Sequence, residues 1–245
     1  MRPRVVAGAV ALGFLAIGGC GMRQPTGEVL ATSLAEIVPH HDRDHFVFIV
    51  ERPTPEGFRP SSLQVEHISK LERSTEYEVA LSEDGMATGK VLIRDDGKTL
   101  WLVSEEDYTR GLKLSYEPPL PYLSVPLRSG ESTVTTSADL RQLDTNQAAG
   151  RLQVTQTTRT APAPPGQWFA GAYSRAVQLV TERTLHSPEG PVQLTNTTIL
   201  VPGIGEVRSE GSAAGSPVMR RQLACAIVGN RSVGDCSRLF RLLGR

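Results

Sequence analysis

The sequence predicts a mainly β protein, built as a curved antiparallel sheet or an open β-barrel with few helices. Three observations favour this class. Runs of alternating apolar and polar residues have the period of two that is typical of strands with one buried face. The 23 glycines and 17 prolines among 245 residues supply frequent turns between those runs. Helical spacing of apolar residues is confined to short segments near the two chain ends.

The chain opens with a pattern that is typical of export. A basic start, Met1–Arg4, precedes the uncharged run Val5–Ile17. This run is shorter than the roughly 20 apolar residues that a membrane-spanning helix needs, and it has the proportions of a secretory signal. We therefore predict a signal peptide over residues 1–19. An uncleaved membrane anchor is the alternative.

The segment Ile17–Cys20, Ile-Gly-Gly-Cys, resembles the bacterial lipobox, whose cysteine is diacylated and becomes the new N-terminus. The resemblance implies that Cys20 carries fatty acyl chains such as palmitate and anchors the protein in a membrane. Each buried methylene contributes about 0.8 kcal/mol, so two or more chains hold a protein durably. Gly21 replaces the aspartate that retains such proteins at the inner membrane. We expect a lipid-anchored, extracytoplasmic protein of the bacterial cell envelope, at the outer membrane where the cell has one.

Charge content argues against one class of partner, and cysteine content predicts the state of the thiols. The 26 basic side chains equal the 26 acidic ones, so no basic face is indicated and we expect no nucleic acid partner. With Cys20 lipidated, two of the three cysteines remain, Cys225 and Cys236. Cysteines of exported proteins normally pair, and closing this loop is worth about 3 kcal/mol in the chain-entropy model. We predict a structural disulfide. The alternative, a redox or metal pair, is disfavoured by the wide spacing.

A short helix is predicted within residues 20–45, which we interpret as a lipid-anchored tether. Four apolar residues have helical spacing: Leu30, Leu34, Ile37 and Val38. Ser33 and Glu36 have the spacing of a capping box, and Pro39 ends the helix. The β-rich extracytoplasmic domain is expected to follow over residues 46–245.

From His45 onward the period changes to two, and turn residues separate the strands. The predicted strands begin at or span Phe46–Val50, Tyr77–Leu81, Val91, Thr99–Val103, Leu112–Tyr116, Leu152–Thr158, Ala176–Thr184, Val192–Val201 and Glu206–Ser209. Asp96 and Gly97 predict a tight hairpin turn of type I′, because glycine adopts a positive φ readily. Two proline-rich stretches, Glu117–Pro126 and Thr160–Phe169, are interpreted as extended connections; polyproline ligands are the alternative.

Three segments suggest a family. VPLRSG (Val125–Gly130), PPGQWFAGAY (Pro164–Tyr173) and LVPGIGEVRSEG (Leu200–Gly211) occur in an order that resembles a loose group of bacterial lipoproteins and secreted proteins of unknown function. In that group, proline- and glycine-containing segments of this kind interrupt the strands of a curved antiparallel sheet. The third segment matches most clearly, at Pro202, Gly203 and Gly205, where glycine permits a tight bend or bulge between strands. The resemblance implies a fold and a compartment, and brings no active site with it.

One cluster of residues has ligand chemistry. His40, His41, Asp44 and His45 offer the imidazole and carboxylate groups that suit zinc. Their spacing matches no known ligand motif, and a solvated linker is the interpretation we favour. Nucleophile-elbow, phosphate-loop and zinc-protease motifs are absent from the sequence. We therefore assign no catalytic residue, no metal site and no cofactor.

Two functions remain for comparison. The first is a non-enzymatic envelope lipoprotein that binds a lipid, a glycan or a protein. The second is a metal-dependent hydrolase that uses the His40–His45 cluster. For the first function, the volume enclosed by the sheet distinguishes the possible partners. A lined cavity indicates a small apolar ligand, whereas a filled core indicates protein binding or scaffolding.

Overall fold

The computed structural model describes residues 25–38, 40–169, 171–188 and 190–235. Apart from one short helix, α1 (Leu34–Ile37), the regular elements of these residues are strands, and they pair antiparallel, so the mainly β class is confirmed. The strands are β1 (Val29–Ala31), β2 (His45–Thr54), β3 (Gly57–Lys70), β4 (Glu76–Glu83), β5 (Met86–Asp95), β6 (Thr99–Asp107), β7 (Leu112–Ser124), β8 (Leu127–Arg128), β9 (Gly130–Gln142), β10 (Ala148–Pro162), β11 (Gly166–Trp168), β12 (Gly171–Tyr173), β13 (Val177–Ser187), β14 (Gly190–Val201), β15 (Gly205–Ala213), β16 (Ser216–Val228) and β17 (Arg231–Gly234).

The main sheet closes on itself. Within the described residues it has thirteen strands in the order β15, β14, β13, β10, β9, β7, β6, β5, β4, β3, β2, β16 and β17, and β15 also pairs with β16. That additional pairing makes a closed barrel of twelve strands, with β17 alongside β16. Strand β16 is long enough to pair with β2 on one edge and with β15 on the other. The sequence pattern left closure undecided, because it does not specify which distant strands pair.

Alternate side chains of each strand face the barrel interior. On β2, Phe46 and Phe48 belong to the main core, whereas Ile49 packs in a separate cluster with Ala224 and Cys225. Full burial of such side chains stabilises the fold by roughly 1.5–3 kcal/mol each. The interior therefore supplies most of the apolar core, and the outer cluster covers one side of β2 and β16.

The segment that precedes β2 is packed into the domain. Ala31, Leu34 and Ile37 are only 2%, 5% and 0% exposed. The backbone N–H of Gly203, in the turn after β14, donates to the carbonyl oxygen of Glu36 at 2.7 Å. From Pro25 onward this part of the predicted tether, residues 20–45, thus closes one end of the barrel. The apolar residues that suggested a helix are the reason, since they bury more surface against the core than a tether would.

The helix itself is short, and its cap differs in one detail from the capping box. The Ser33 hydroxyl accepts the Glu36 N–H at 3.3 Å. The Glu36 carboxylate accepts the N–H of Thr32 at 3.2 Å, instead of that of Ser33. Leu30, expected on the helix, lies in β1.

The Asp96–Gly97 hairpin has a three-residue loop that ends at Lys98. Gly97 has φ +84°, but Asp96 is not at positive φ, so the geometry is not the predicted type I′. The Asp96 carboxylate accepts the N–H groups of Lys98 and Thr99 at 2.9 and 2.7 Å, and that of the Trp101 indole at 2.7 Å. These three bonds hold the acidic turn residue in place.

The bend between β14 and β15 uses the glycines of the Pro-Gly segment. Gly203 and Gly205 have φ +75° and +96°. The Ile204 N–H donates to the Val201 carbonyl at 3.0 Å, with Pro202 and Gly203 as the central residues. Positive φ at the second central position is what a type II turn requires, and glycine supplies it without strain.

Two proline-rich stretches were expected to be connections, and both predictions are wrong in part. Strand β7 runs through Pro118, Pro119 and Pro121, and the second stretch contains the end of β10 and all of β11. Prolines donate no N–H to a ladder, and the register between β6 and β7 shifts between Leu102 and Ser104 at the same place. Strands β3, β9 and β16 were not predicted. Within the described residues, no helix is long and apolar enough to cross a membrane.

The signal peptide, Cys20 and Cys236 lie outside the described residues. Cys225 lies on β16, is 1% exposed and is opposite Gly234 of β17. The disulfide between Cys225 and Cys236 and the lipidation of Cys20 therefore stay predictions.

Candidate functional site

The barrel interior holds a cavity of about 230 Å³. Its apolar walls come mainly from β2 to β5, where inward-facing residues include Phe46, Phe48, Ile68, Val79, Val91 and Ile93. An apolar cavity of about 150 Å³ is large enough to bind benzene or xenon. The sheet therefore surrounds a lined, partly open space rather than a wholly filled core.

A buried ionic cluster forms one side of this cavity. Strands β3, β15 and β16 bring Glu66, Glu206 and Arg221 together, and we call these residues with Ser209 the Arg221 cluster. Arg221 Nη1 donates to Glu66 Oε1, while its Nε donates to Glu206 Oε1 at 2.7 Å and to Ser209 Oγ at 3.0 Å. The guanidinium also lies 4.5 Å from the centre of the Phe48 ring. Two carboxylates thus share one guanidinium.

Burial decides the protonation behaviour of the Arg221 cluster. Desolvation raises the pKa of Glu66, against the opposing pull of Arg221, and the negative charge of Glu206 acts in the same direction as burial. For Arg221, burial favours the neutral form, but Glu206 and Glu66 outweigh it and raise the pKa. The guanidinium therefore stays charged, whereas burial favours the neutral form of Glu66.

A second ionic cluster, formed around Arg183, has balanced charge. Arg183 Nη1 donates to both carboxylate oxygens of Glu105, at 3.0 and 3.1 Å. The Tyr116 hydroxyl donates to Glu105 Oε2 at 2.9 Å, and Gln156 Oε1 accepts from Arg183 Nε at 3.3 Å. One guanidinium here faces one carboxylate, so this cluster has no excess charge.

Two neutral polar residues also line the cavity. Tyr122 lies near both ionic clusters, and burial raises the pKa of its phenol, which therefore stays protonated. The other is His40, which is partly exposed as a whole. Its Nδ1 is buried and has no hydrogen-bond partner within the described part of the chain. Burial lowers the pKa of His40 to about 4, against the opposing effect of Asp95 and Asp44.

The candidate metal ligands His40, His41, Asp44 and His45 do not form one site. The Nδ1 atom of His41 lies 3.2 Å from Oδ2 of Asp44, but the other two side chains face other neighbours. Asp44 is 1% exposed and accepts the N–H groups of His41 and Gly229 at 2.9 and 2.6 Å. His40 faces the cavity, and the His45 ring lies beside His67, 6.0 Å away between centroids. In the part of the chain that the structure describes, no three His, Cys, Asp or Glu residues are grouped to hold a metal. Asp44 instead joins the start of β2 to the turn after β16.

The pH dependence of stability provides a test of the buried His40. Because its pKa falls from 6.5 in the unfolded chain to about 4 on folding, its contribution is complete above pH 6.5 and is lost as pH falls towards 4. We expect wild type to lose up to about 3 kcal/mol of unfolding free energy over that interval relative to His40→Gln. Urea denaturation of both proteins at pH 7 and pH 4 measures the difference. Equal losses in the two proteins would show that His40 titrates normally.

The sequence analysis missed the residues of both ionic clusters. These residues lie on strands far apart in the chain, and Arg221 follows Glu66 by 155 residue numbers. A charged residue at an inward-facing position of a strand would have indicated the Arg221 cluster. This signal could not be used, because neither β3, which holds Glu66, nor β16, which holds Arg221, was predicted as a strand.

No protein-family model matches the chain. A search of curated proteins likewise gives no match. The chain is similar to a structure from Bacteroides fragilis, described as an exported protein with a YmcC-like fold, at 14% identity and a TM-score of 0.49, over 80% of this chain and 98% of that one. It is also similar to a structure from Parabacteroides distasonis, described as a lipoprotein, at 10% identity and a TM-score of 0.49, over 77% and 97% of the two chains. These likenesses concern the fold alone.

Proposed function

We propose that the chain is a non-enzymatic, lipid-anchored protein of the bacterial cell envelope whose barrel interior binds a small, largely apolar ligand. The observation that carries this proposal is the cavity of about 230 Å³, with apolar walls from β2 to β5 and polar groups on one side. Ligand sites in proteins commonly combine such walls with a few polar groups that fix orientation. A metal-dependent hydrolase has no comparable support, since the His40–His45 residues point to different neighbours.

The cavity volume limits the ligand to a single small molecule. If a cavity of about 150 Å³ holds benzene, one half as large again holds roughly nine non-hydrogen atoms. A diacyl lipid does not fit this volume, whereas one short alkyl chain or one ring does. Each methylene that enters such a site contributes about 0.8 kcal/mol of apolar burial.

The proposed anchor accords with the way the N-terminal segment leaves the barrel. The Arg128 guanidinium donates to the Gly27 carbonyl at 3.1 Å, and the Ser129 N–H donates to that of Glu28 at 2.8 Å. These bonds fix the start of the described chain a few residues after Cys20. Labelled palmitate incorporated by wild type, and not by Cys20→Ser, tests the anchor.

Binding of 1-hexanol to the full chain in a nonionic detergent tests the cavity. We expect saturable binding that raises the melting temperature by about 5–10 °C at a hundredfold excess over Kd. Val91→Phe fills the cavity and should abolish the effect. The same substitution at Val192, which is 49% exposed, serves as the control and should keep it.

Detergent and micelle partitioning are identical for all three proteins, so only cavity binding separates them. Circular dichroism confirms that each variant is folded, because overpacking costs about 1–3 kcal/mol. No saturable effect in wild type, or an equal effect in Val91→Phe, would contradict the proposal.

A further inference from the structure

The charges that line the interior cavity do not balance. Within the described residues its wall holds two acidic side chains, Glu66 and Glu206, and one basic side chain, Arg221. The neighbouring guanidinium of Arg183 is already paired with Glu105. With both carboxylates ionised the wall has one excess negative charge. A cation that enters the cavity would oppose the burial that raises the pKa of Glu66, and would keep this carboxylate ionised.

The two carboxylates keep hydrogen-bonding capacity beyond their ion pair. Arg221 contacts Oε1 of Glu66 and Oε1 of Glu206, and the Oε2 atoms take no part in these contacts. An ionised carboxylate accepts hydrogen bonds at both oxygens. An N–H donor with positive charge would satisfy these atoms and neutralise the cluster at the same time.

His40 is an independent indication of a ligand at this cavity. Its ring lines the cavity, and its buried Nδ1 has no hydrogen-bond partner among the residues that the structure describes. Buried polar atoms normally have partners, so one that lacks a partner at a cavity wall indicates a bound group. Since the imidazole is neutral near pH 7, Nδ1 can accept a hydrogen bond from a ligand N–H.

The aromatic wall suits an apolar body that lies next to a cation. The Phe46 and Phe48 rings are stacked 6.4 Å apart between centroids. Ring faces attract positive charge, and Arg221 already uses the face of Phe48 at 4.5 Å. A carboxylate or phosphate ligand would instead face two like charges and would have to compete for Arg221.

We propose that the ligand carries a primary ammonium group on a short apolar body, with the ammonium paired to Glu66 and Glu206 and the body against the Phe46–Phe48 wall. This inference rests on the proposed function, because it requires that the cavity be a ligand site. It adds the class of ligand: a small amine, in preference to an alcohol or an acid of the same length.

The experiment compares 1-hexylamine, 1-hexanol and hexanoate on the full chain, in the same nonionic detergent at pH 7.5, by calorimetric titration. We expect hexylamine to bind about tenfold tighter than hexanol or better, since hydrogen bonds to charged groups are worth at least that much. Hexanoate should bind more weakly than hexanol. Dodecylamine, which exceeds the cavity, should gain nothing over hexylamine.

Glu206→Gln tests the negative charge of the cavity wall separately from the shape of the wall. Glutamine keeps the volume and still accepts the Arg221 N–H, but the wall then has one negative and one positive charge. The amine preference should disappear while hexanol binds as before, which also shows that the variant is folded. Glu210→Gln, on the same strand and 39% exposed beside Arg220, is the matched control and should keep the preference.

The outcomes separate the two proposals. Hexanol binding that equals or exceeds hexylamine binding overturns the amine inference and leaves the cavity proposal standing, as does preferential binding of hexanoate. A preference for hexylamine that survives in Glu206→Gln overturns the assigned role of the Arg221 cluster. Binding of none of the three compounds overturns the cavity proposal together with the amine inference.

Discussion

Replacing Arg221 with methionine is expected to lower the free energy of unfolding by about 3–5 kcal/mol. The substitution leaves Glu66 and Glu206 in the barrel wall without their shared guanidinium. Their side chains are only 16% and 15% exposed, so water compensates little of the lost interaction. Methionine keeps much of the apolar contact with Phe48, which confines the change mainly to charge. Urea denaturation at pH 7.5 measures the effect.

Arg220 offers a matched control for this prediction. Arg220 precedes Arg221 on β16 and is 25% exposed. It pairs with Glu210 at 3.1 Å and more loosely with Glu51 at 3.9 Å. Because solvent screens such pairs, Arg220→Met should cost no more than about 1 kcal/mol. A further variant that combines Arg221→Met with Glu66→Gln and Glu206→Gln should recover most of the loss. Equal effects of Arg220→Met and Arg221→Met would show that the cluster is not a buried charge network.

The predictable parts of the fold are those with local signals. Tyr77–Leu81 alternates apolar and polar residues and lies in β4, because one of its faces packs on the core. Ser33 starts α1, because its hydroxyl satisfies a backbone N–H of the first turn. The proline-rich part of β7 was harder to assign, because a strand that bulges can keep residues that donate no N–H.

The candidate site was hidden because its polar groups interrupt the pattern from which strands are recognised. Glu66 occupies an inward-facing position on β3 between Gln64 and Ile68, so the apolar alternation fails there. Its partner Arg221 interrupts β16 in the same way. Pairing of β2 with both β3 and β16 brings these two residues together, and closure between β15 and β16 adds Glu206. No local pattern encodes the β2–β16 or the β15–β16 pairing.

The His40–His45 cluster shows the opposite case, in which residues close in sequence suggest a common site that the fold does not form. His40, His41, Asp44 and His45 are near one another in sequence, but the chain enters β2 there and directs them to different neighbours. Asp44 caps backbone N–H groups, including that of Gly229, and His45 lies beside His67. Proximity in sequence therefore indicated a common site where the fold has three separate environments.

Replacing Ile37 with alanine is expected to lower the free energy of unfolding by about 4 kcal/mol, near the upper end for loss of a buried isoleucine side chain. Ile37 is 0% exposed and belongs to the main core of the barrel. The Glu36 carbonyl next to it accepts the Gly203 N–H, so collapse around the smaller side chain is restricted by the turn after β14. Thermal and urea denaturation of the full chain measure the loss.

Val29→Ala is the control, because Val29 is 40% exposed in the same segment and should cost less than about 1 kcal/mol. If residues 20–45 were only a tether, both substitutions would be equally mild, and the closed barrel would keep its stability without α1. A large effect of Ile37→Ala alone would instead show that the segment from Val29 to Ile37 folds together with the barrel. In that case the proposed anchor on Cys20 would lie a few residues before a segment that packs on the barrel core, and this segment leads to Val38 and His40 of the cavity wall.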